Sequence, residues 1–176
     1  PYTSLTDPEA LIAKPGSAAY IEVAKLALGL ELKRRSDGPL VTVISNANDK
    51  GTGRTLAEML ASVLAQRGNK TLLVDATSTP AGFSSPSRTA IETVRPGLDR
   101  ASMFDQSTVG PDLTKPDGYG HVLMVGPSAV ALPAWPGIRS MHFALIICQI
   151  GETRFATLEE LALEQMNGQL PETGIV

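Results

Sequence analysis

The polypeptide has 176 residues and is 43% hydrophobic, which supplies a core for one domain of ordinary size. Its net charge is −3 and its Lys and Arg residues are scattered, so charge predicts neither a nucleic-acid partner nor an anionic lipid surface. The single cysteine, Cys148, excludes a disulfide framework and suits a reducing compartment. The apolar runs are far shorter than the ~20 residues of a membrane-spanning helix, and no signal peptide is visible.

The N-terminal part of the chain predicts an arm followed by a helix and a strand. Residues 1–16 are rich in Pro, Thr and Ser and predict a surface arm, so the main domain is expected to span residues 17–176. Helical spacing of apolar residues predicts a helix from Ser17 to Arg35, with Ser17 as its cap. The run from Leu40 to Ser45 is short and β-branched, as is typical of a buried parallel strand.

A βαβ unit follows in the middle of the chain. A polar, glycine-containing loop leads into a predicted helix between Arg54 and Gly68, and Lys70 to Asp75 is a second strand. The crossover of such a unit is expected to be right-handed. Residues 76–120 are rich in Pro, Gly, Ser and Thr and predict a long loop, in which only 97–104 favours a short helix.

The C-terminal third alternates strands and helices. Strands are predicted at 121–125, 143–148 and 173–176, with a helix from Phe155 to Asn167. The whole pattern predicts a doubly wound α/β fold of the P-loop NTPase type, in which helices cover both faces of a mainly parallel sheet. Because the sequence starts without methionine and stops where a strand begins, we expect it to be a domain of a longer protein.

The sharpest motif is the run Gly51-Thr-Gly-Arg-Thr55 between the first strand and the following helix. In a phosphate-binding loop, backbone N–H groups and the helix N-terminus hold the β-phosphate, a lysine reaches the β- and γ-phosphates, and a hydroxyl binds Mg²⁺. Against the pattern G-x-x-x-x-G-K-[ST], the first glycine falls on Asn48 and the lysine on Arg54. A plain strand-to-helix turn explains these residues equally well.

If the loop does bind nucleotide, its ligands are ATP and Mg²⁺, and both are expected to bind weakly or not at all. An arginine is longer than a lysine and geometrically stricter, so it is a poor substitute inside the loop. The residues assigned to nucleotide contacts are Gly51, Thr52, Gly53, Arg54, Thr55 and Leu56.

Two residues are candidates for the metal, and one of them for catalysis. The hydroxyl of Thr55 is the expected Mg²⁺ ligand of the loop, and Asp75, at the end of the second strand, is a candidate Mg²⁺ ligand and general base. An Asp at a strand end also caps turns, and both interpretations of Asp75 stay open. His121 and His142 have no partner at metal-ligand spacing, so no transition-metal site is expected.

Taken in order, these segments resemble the BY-kinase family, the P-loop tyrosine kinases of bacterial capsule and exopolysaccharide chain-length proteins. The resemblance covers about residues 15–176. Residues 40–75 are similar to the family's strand, Walker A loop, helix and Walker A′ strand. The remaining matches are its Pro-Gly-Leu turn at 96–98, its Leu-Pro-x-Gly strand at 121–127, and its late strand and helix at 147–154 and 157–161.

The departures from the family concern its chemistry and its oligomer. Thr77 stands where the second Walker A′ acid belongs, and the Walker B ending Asp-Thr-Pro-Pro is absent, since the candidate strand 143–147 runs into Cys148. Relative to the family, residues between Pro127 and Phe143 are missing. In the family, a motif of the N-terminal helix helps to build a ring-shaped oligomer. This sequence keeps the tyrosine of that motif as Tyr20 but not the motif's charged residues, and the family's tyrosine-rich tail is lacking.

The resemblance implies a kinase-like domain of weak or lost activity that is a regulatory or scaffold part of exopolysaccharide biosynthesis and export. It implies a cytoplasmic location at the inner face of the membrane. The implied partners are a membrane-embedded co-polymerase part or the export machinery, together with a homo-oligomer. Two alternatives stay open: an active ATP-dependent protein-tyrosine autokinase with Arg54 in place of the lysine, and a ParA/MinD-like ATPase.

Overall fold

A seven-stranded sheet runs through the described part of the chain in this computed structural model, which covers residues 14–34, 38–48, 52–77, 91–102, 118–149 and 151–176. The strands are β1 (Leu40–Asn46), β2 (Thr71–Asp75), β3 (Ile91–Arg95), β4 (Leu98–Ser102), β5 (His121–Val125), β6 (Phe143–Ile147) and β7 (Glu172–Ile175). Their spatial order is β3-β4-β2-β5-β1-β6-β7. The strand that precedes the glycine-containing loop, β1, therefore lies inside the sheet.

The sheet is parallel except at one edge, where β3 runs antiparallel to β4. The strands predicted at 40–45, 70–75 and 143–148 lie in one parallel sheet, because β1 pairs with β6 and β5 joins β1 to β2. Their near-continuous apolar runs are what a sheet buried on both faces requires. The predicted mainly parallel α/β architecture is confirmed.

Helices cover both faces of the sheet, as predicted. One face, called here the α2 face, is covered by α1 (Ala18–Lys33) and α2 (Gly53–Gln66). The other face is covered by α3 (Phe155–Met166) and by two 3₁₀ helices, Ala129–Ala134 and Pro136–Ser140. None of the described helices combines the length and the apolar content needed to cross a membrane.

The helix ends and cores follow from local sequence. Ser17 caps α1 as predicted, since its hydroxyl oxygen accepts a hydrogen bond from the Tyr20 N–H at 3.2 Å. α2 is the crossover helix between β1 and β2, and its Leu60 and Leu64 have no exposed surface. Truncating either leucine to alanine is expected to cost roughly 2–5 kcal/mol. The N-terminus of α2 is thus held firmly at the edge where β1 and β2 end.

The predicted short helix over 97–104 is wrong for the residues that the structure describes. Residues 98–102 form strand β4, which pairs with β2 on one side and with β3 on the other. Pro96 and Gly97 make the turn between β3 and β4, and Gly97 has a positive φ of 80°, which glycine adopts without steric cost. Its carbonyl accepts a hydrogen bond from the Thr71 N–H at 2.8 Å, and Leu98 is buried against the core. Pairing with β2 therefore outweighs local helix propensity.

The segment between β5 and β6 is the part where the family comparison predicted missing residues. Here the two 3₁₀ helices carry the chain from β5 to β6, and they bury Leu132, Trp135 and Ile138 against the sheet. The segment therefore has a packing role of its own. The predicted arm lies almost wholly outside the described residues, since the description begins at residue 14.

Candidate functional site

The candidate site lies at the edge of the sheet where the parallel strands β1 and β2 end. β1 ends at Asn46 and β2 ends at Asp75, while α2 begins at Gly53. Because α2 connects these two strands across β5, its N-terminus and Asp75 meet at one edge. In open α/β sheets, ligands bind at such carboxyl edges.

The start of α2 is built by a close approach of loop and strand. The Thr52 hydroxyl donates a hydrogen bond to the Asn46 side-chain oxygen at 3.2 Å. A Cβ on Gly53 would come within 3.0 Å of the same Asn46 side chain, so the turn favours glycine there. Among the described residues, the N-cap Thr52 makes no side-chain cap hydrogen bond to α2, which leaves backbone N–H groups of the first turn able to hold an anion. Gly51 lies outside the described residues.

The other assigned loop residues have different environments. Thr55 is half-buried in the first turn of α2, and Arg54 is exposed. Leu56 belongs to the hydrophobic core, with 5% of its surface exposed. Its N–H donates to the Thr52 carbonyl at 3.1 Å. Its side chain is therefore committed to packing within the domain.

Arg54 points at two acidic side chains of the domain itself. Its guanidinium Nη1 lies 3.3 Å from Oδ2 of Asp75, and its Nε lies 3.3 Å from Oε1 of Glu58, one helical turn further along α2. The Arg54 side chain is 58% exposed, whereas the Asp75 side chain is only 11% exposed. With one partner in solvent, the pair contributes at most about 1 kcal/mol to stability. The ion pair matters because it places the positive charge of Arg54 directly beside Asp75, the candidate metal ligand.

Asp75 also caps the turn that follows β2. Its Oδ1 accepts hydrogen bonds from the Thr77 N–H at 3.0 Å and from the Thr77 hydroxyl at 2.7 Å. The turn-capping role that the sequence left open is therefore present. Thr77, which replaces the family's second acid, is the donor in this cap. Both carboxylate oxygens of Asp75 are thus directed at donors of the protein.

These residues match the standard Mg²⁺–nucleotide site poorly. Mg²⁺ takes oxygen ligands in a strict octahedral geometry, and it would have to compete with Arg54 and Thr77 for the carboxylate of Asp75. In the described part of the chain, no group of three or more His, Cys, Asp or Glu side chains is arranged to hold a metal. The two residues assigned to the metal, Thr55 and Asp75, both lie at this edge. The backbone N–H groups at the start of α2 are the feature that fits phosphate.

The two strands that flank β1 supply no carboxylate here. β5 ends in Val125 and runs into Gly126, and β6 ends in Ile147 and runs into Cys148. The sequence interpretation weighed only 143–147 as the Walker B strand. β5, which matches the family's Leu-Pro-x-Gly strand, lies between β1 and β2, and its Val125 is in register with Asp75.

Two residues of the charge network were not identified from the sequence. Glu58 accepts from Arg100 of β4 at 2.7 Å, so a chain of ion pairs runs from Asp75 through Arg54 and Glu58 to Arg100. The four-residue spacing of Arg54 and Glu58 on a helix could have indicated their pairing. Arg100 could not be placed, because β4 was not predicted.

Comparison with known proteins supports the fold. No protein-family model matches the chain, and no curated protein matches it either. The kinase domain of Escherichia coli tyrosine kinase ETK aligns with a TM-score of 0.72 at 18% identity, covering 99% of this chain and 81% of that one. The BceF tyrosine kinase domain aligns with a TM-score of 0.74 at 18% identity, covering 98% and 83%.

A second group of solved structures shares the core. A ParA family ATPase from Chlorobium tepidum TLS aligns with a TM-score of 0.61 at 13% identity, covering 80% of this chain and 74% of that one.

The alignments with the two tyrosine kinase domains confirm the predicted resemblance to BY-kinase domains at the level of fold. The chain has a kinase-like P-loop architecture.

Proposed function

We propose that this domain has weak or no phosphoryl-transfer activity and acts as a regulatory or scaffold part of exopolysaccharide biosynthesis and export. The structural neighbours support a kinase-like P-loop domain. The proposal of weak or absent activity comes from the contacts of the candidate site. The exopolysaccharide context comes from the collinear sequence resemblance to BY-kinases.

The observation that carries the proposal is the ion pair between Arg54 and Asp75. In an active P-loop kinase, the cation of the loop reaches the phosphates, while the acid at the end of the second strand serves the metal and the proton. Here the cation and the acid neutralise each other at 3.3 Å. Phosphate and Mg²⁺ would each have to separate this pair before binding.

Loss of several parts of a catalytic set is far from additive. Phosphoryl transfer depends on charge neutralisation, a placed metal and an oriented hydroxyl acting together. In this chain Arg54 stands in place of the loop lysine, Thr77 stands in place of the second acid, and the Walker B candidate β6 runs into Cys148 without an acid. An anion can still bind to the N–H groups at the start of α2, which is compatible with a binding or structural role.

The direct test is calorimetric titration of the purified domain with ATP and Mg²⁺. We expect a dissociation constant weaker than low micromolar, and no shift of the melting temperature at micromolar nucleotide. Arg54→Lys is the matched variant, because it restores the loop lysine, and Arg139→Lys on the opposite face is its control. Wild-type binding at low micromolar or tighter would overturn the proposal of a lost nucleotide site.

Two enzymatic alternatives are decided by the products. An autokinase would give ATP-dependent phosphotyrosine in mass spectra, whereas the ParA/MinD alternative, which the structural match to a ParA family ATPase favours, would give phosphate release without modified protein. We expect neither product above background. Either one, abolished by Asp75→Asn, would assign this site a catalytic role.

We further propose that the full-length protein holds the domain at the cytoplasmic face of the membrane, beside its co-polymerase part or the export machinery, and that it forms a homo-oligomer. Fractionation of cells expressing the whole gene product tests the location. Crosslinking in those membranes tests the partners. Recovery of the full-length protein only in the cytosol, without crosslinked partners, would contradict this assignment.

A further inference from the structure

A groove lies on the α2 face, between α2 and the β3–β4 hairpin, and its lining begins at Glu58, one helical turn after Arg54. It has a volume of about 240 Å³. Its apolar floor includes Leu73 of β2 and Leu98 of β4, which are 3% exposed each. The wall formed by α2 carries Glu58 and Ser62, one turn apart.

The hairpin side of the groove carries two arginines, Arg95 and Arg100. Arg95 is opposite Leu98 in the antiparallel pairing, and Arg100 is two residues further along β4, so the two arginines are diagonal neighbours across the hairpin. Arg100 is paired with Glu58 at 2.7 Å. In the described part of the chain, Arg95 has no ion pair and no side-chain hydrogen bond.

The side chains that line the groove therefore carry more positive than negative charge. Glu58 neutralises Arg100 and also contacts Arg54, so its one negative charge is already shared between two guanidinium groups. Arg95 adds a third positive charge at the other end, beside the apolar floor. A guanidinium fork of this kind binds carboxylate or phosphate in two parallel hydrogen bonds.

We propose that this groove is a binding site for a small anionic molecule with an apolar body. The anionic group pairs with Arg95, and the apolar body covers Leu73 and Leu98. The volume is below the 300–1,000 Å³ typical of drug-sized pockets, so the ligand has about one ring or a short aliphatic chain. The groove shares Glu58 with the ion-pair chain that begins at Asp75, but the anionic group is proposed to pair with Arg95, which is not part of that chain.

The experiment uses benzoate as the probe, because it combines one ring with one carboxylate. Titration of the ¹⁵N-labelled chain is expected to shift the backbone amides of Arg95 and Leu98, with a dissociation constant on the order of 1 mM for so small a ligand. Benzyl alcohol keeps the ring without the charge, and acetate keeps the charge without the ring. Each is expected to bind at least tenfold more weakly than benzoate.

Two variants test the assignment of the site. Arg95→Gln is expected to weaken benzoate binding at least tenfold, whereas Arg139→Gln, an exposed arginine of the second 3₁₀ helix, leaves it unchanged. Val94→Glu places a carboxylate at the rim, where Val94 is 43% exposed, and is expected to block the groove without loss of melting temperature. The proposal is overturned if benzoate shifts no amide of the hairpin, if Arg95→Gln binds like wild type, or if acetate binds as tightly as benzoate.

Discussion

His121 occupies the first position of β5, where it is fully buried between β1 and β2. Neither of its ring nitrogens has a hydrogen-bond partner among the residues described. Burial, together with the nearby charge of Arg34, lowers the pKa of His121 to about 4, while Glu31 acts in the opposite direction. Glu31 is itself held by Arg67, whose hydrogen bonds lower the pKa of that carboxyl.

The sign of the pH effect follows from proton binding. Between the ordinary pKa of 6.5 and the folded value of about 4, the unfolded chain binds a proton on His121 that the folded chain does not. Stability is therefore fully present above pH 6.5 and falls as the pH drops toward 4. The linkage relation gives a loss of about 2 kcal/mol between pH 7.5 and pH 5. Glu31 affects stability only at lower pH, because its folded pKa lies below the ordinary value of 4.5.

The assay is urea unfolding followed by the fluorescence of Trp135, which is the only tryptophan and is 4% exposed. His121→Leu replaces two unpaired polar atoms by a side chain of similar volume. We expect it to keep or raise stability at pH 7.5 and to remove about 2 kcal/mol of the pH dependence. His142→Asn is the control. If the loss at pH 5 persists in His121→Leu and disappears in His142→Asn, the attribution to His121 is wrong.

Three further outcomes are expected. Arg54→Lys gives no ATP-dependent phosphotyrosine by mass spectrometry, because the loop lysine is only one of the missing parts; phosphotyrosine above the no-ATP control would refute this. Gly126→Ala lowers stability by about 1–3 kcal/mol in urea, since its Cβ would lie 2.5 Å from Cγ2 of Val43; an unchanged midpoint would show that the strands adjust. Tyr119→Phe costs about 1–2 kcal/mol in urea unfolding, as its hydroxyl donates to Asp99 at 2.5 Å; an unchanged free energy of unfolding would contradict this.

The elements with a strong local signal could be predicted from the sequence. β1 and α2 were placed within two residues because a β-branched run and an apolar 3.6-residue repeat stand on either side of a glycine loop. β3 and β4 could not be predicted, since neither Ile91–Arg95 nor Leu98–Ser102 alternates clearly between apolar and polar residues. These strands form because β2 offers an open edge, which is a property of the fold and has no local signal.

The residues of the candidate site could be predicted from the sequence, but the ion pair between them could not. Arg54 and Asp75 were both singled out, one from the loop pattern and one from its place at a strand end. Their ion pair depends on the crossover of α2 over β5, which brings residues 21 positions apart in sequence to 3.3 Å. The cap from Asp75 to Thr77 is local, and it was accordingly among the interpretations that the sequence offered.

The end of β5 contributes to the surroundings of Asp75. Val125 ends the strand between β1 and β2, pairs in register with Ile44 and Asp75, and is buried on the α2 face with 6% of its surface exposed. Val125 is apolar, so β5 supplies no carboxylate to the edge where α2 begins. The carboxylate of Asp75 at the same edge contacts Arg54 and Thr77, which both belong to the domain itself. Each carboxylate oxygen of Asp75 is therefore directed at a donor of the domain, and a metal ion at this edge would have to compete with those donors.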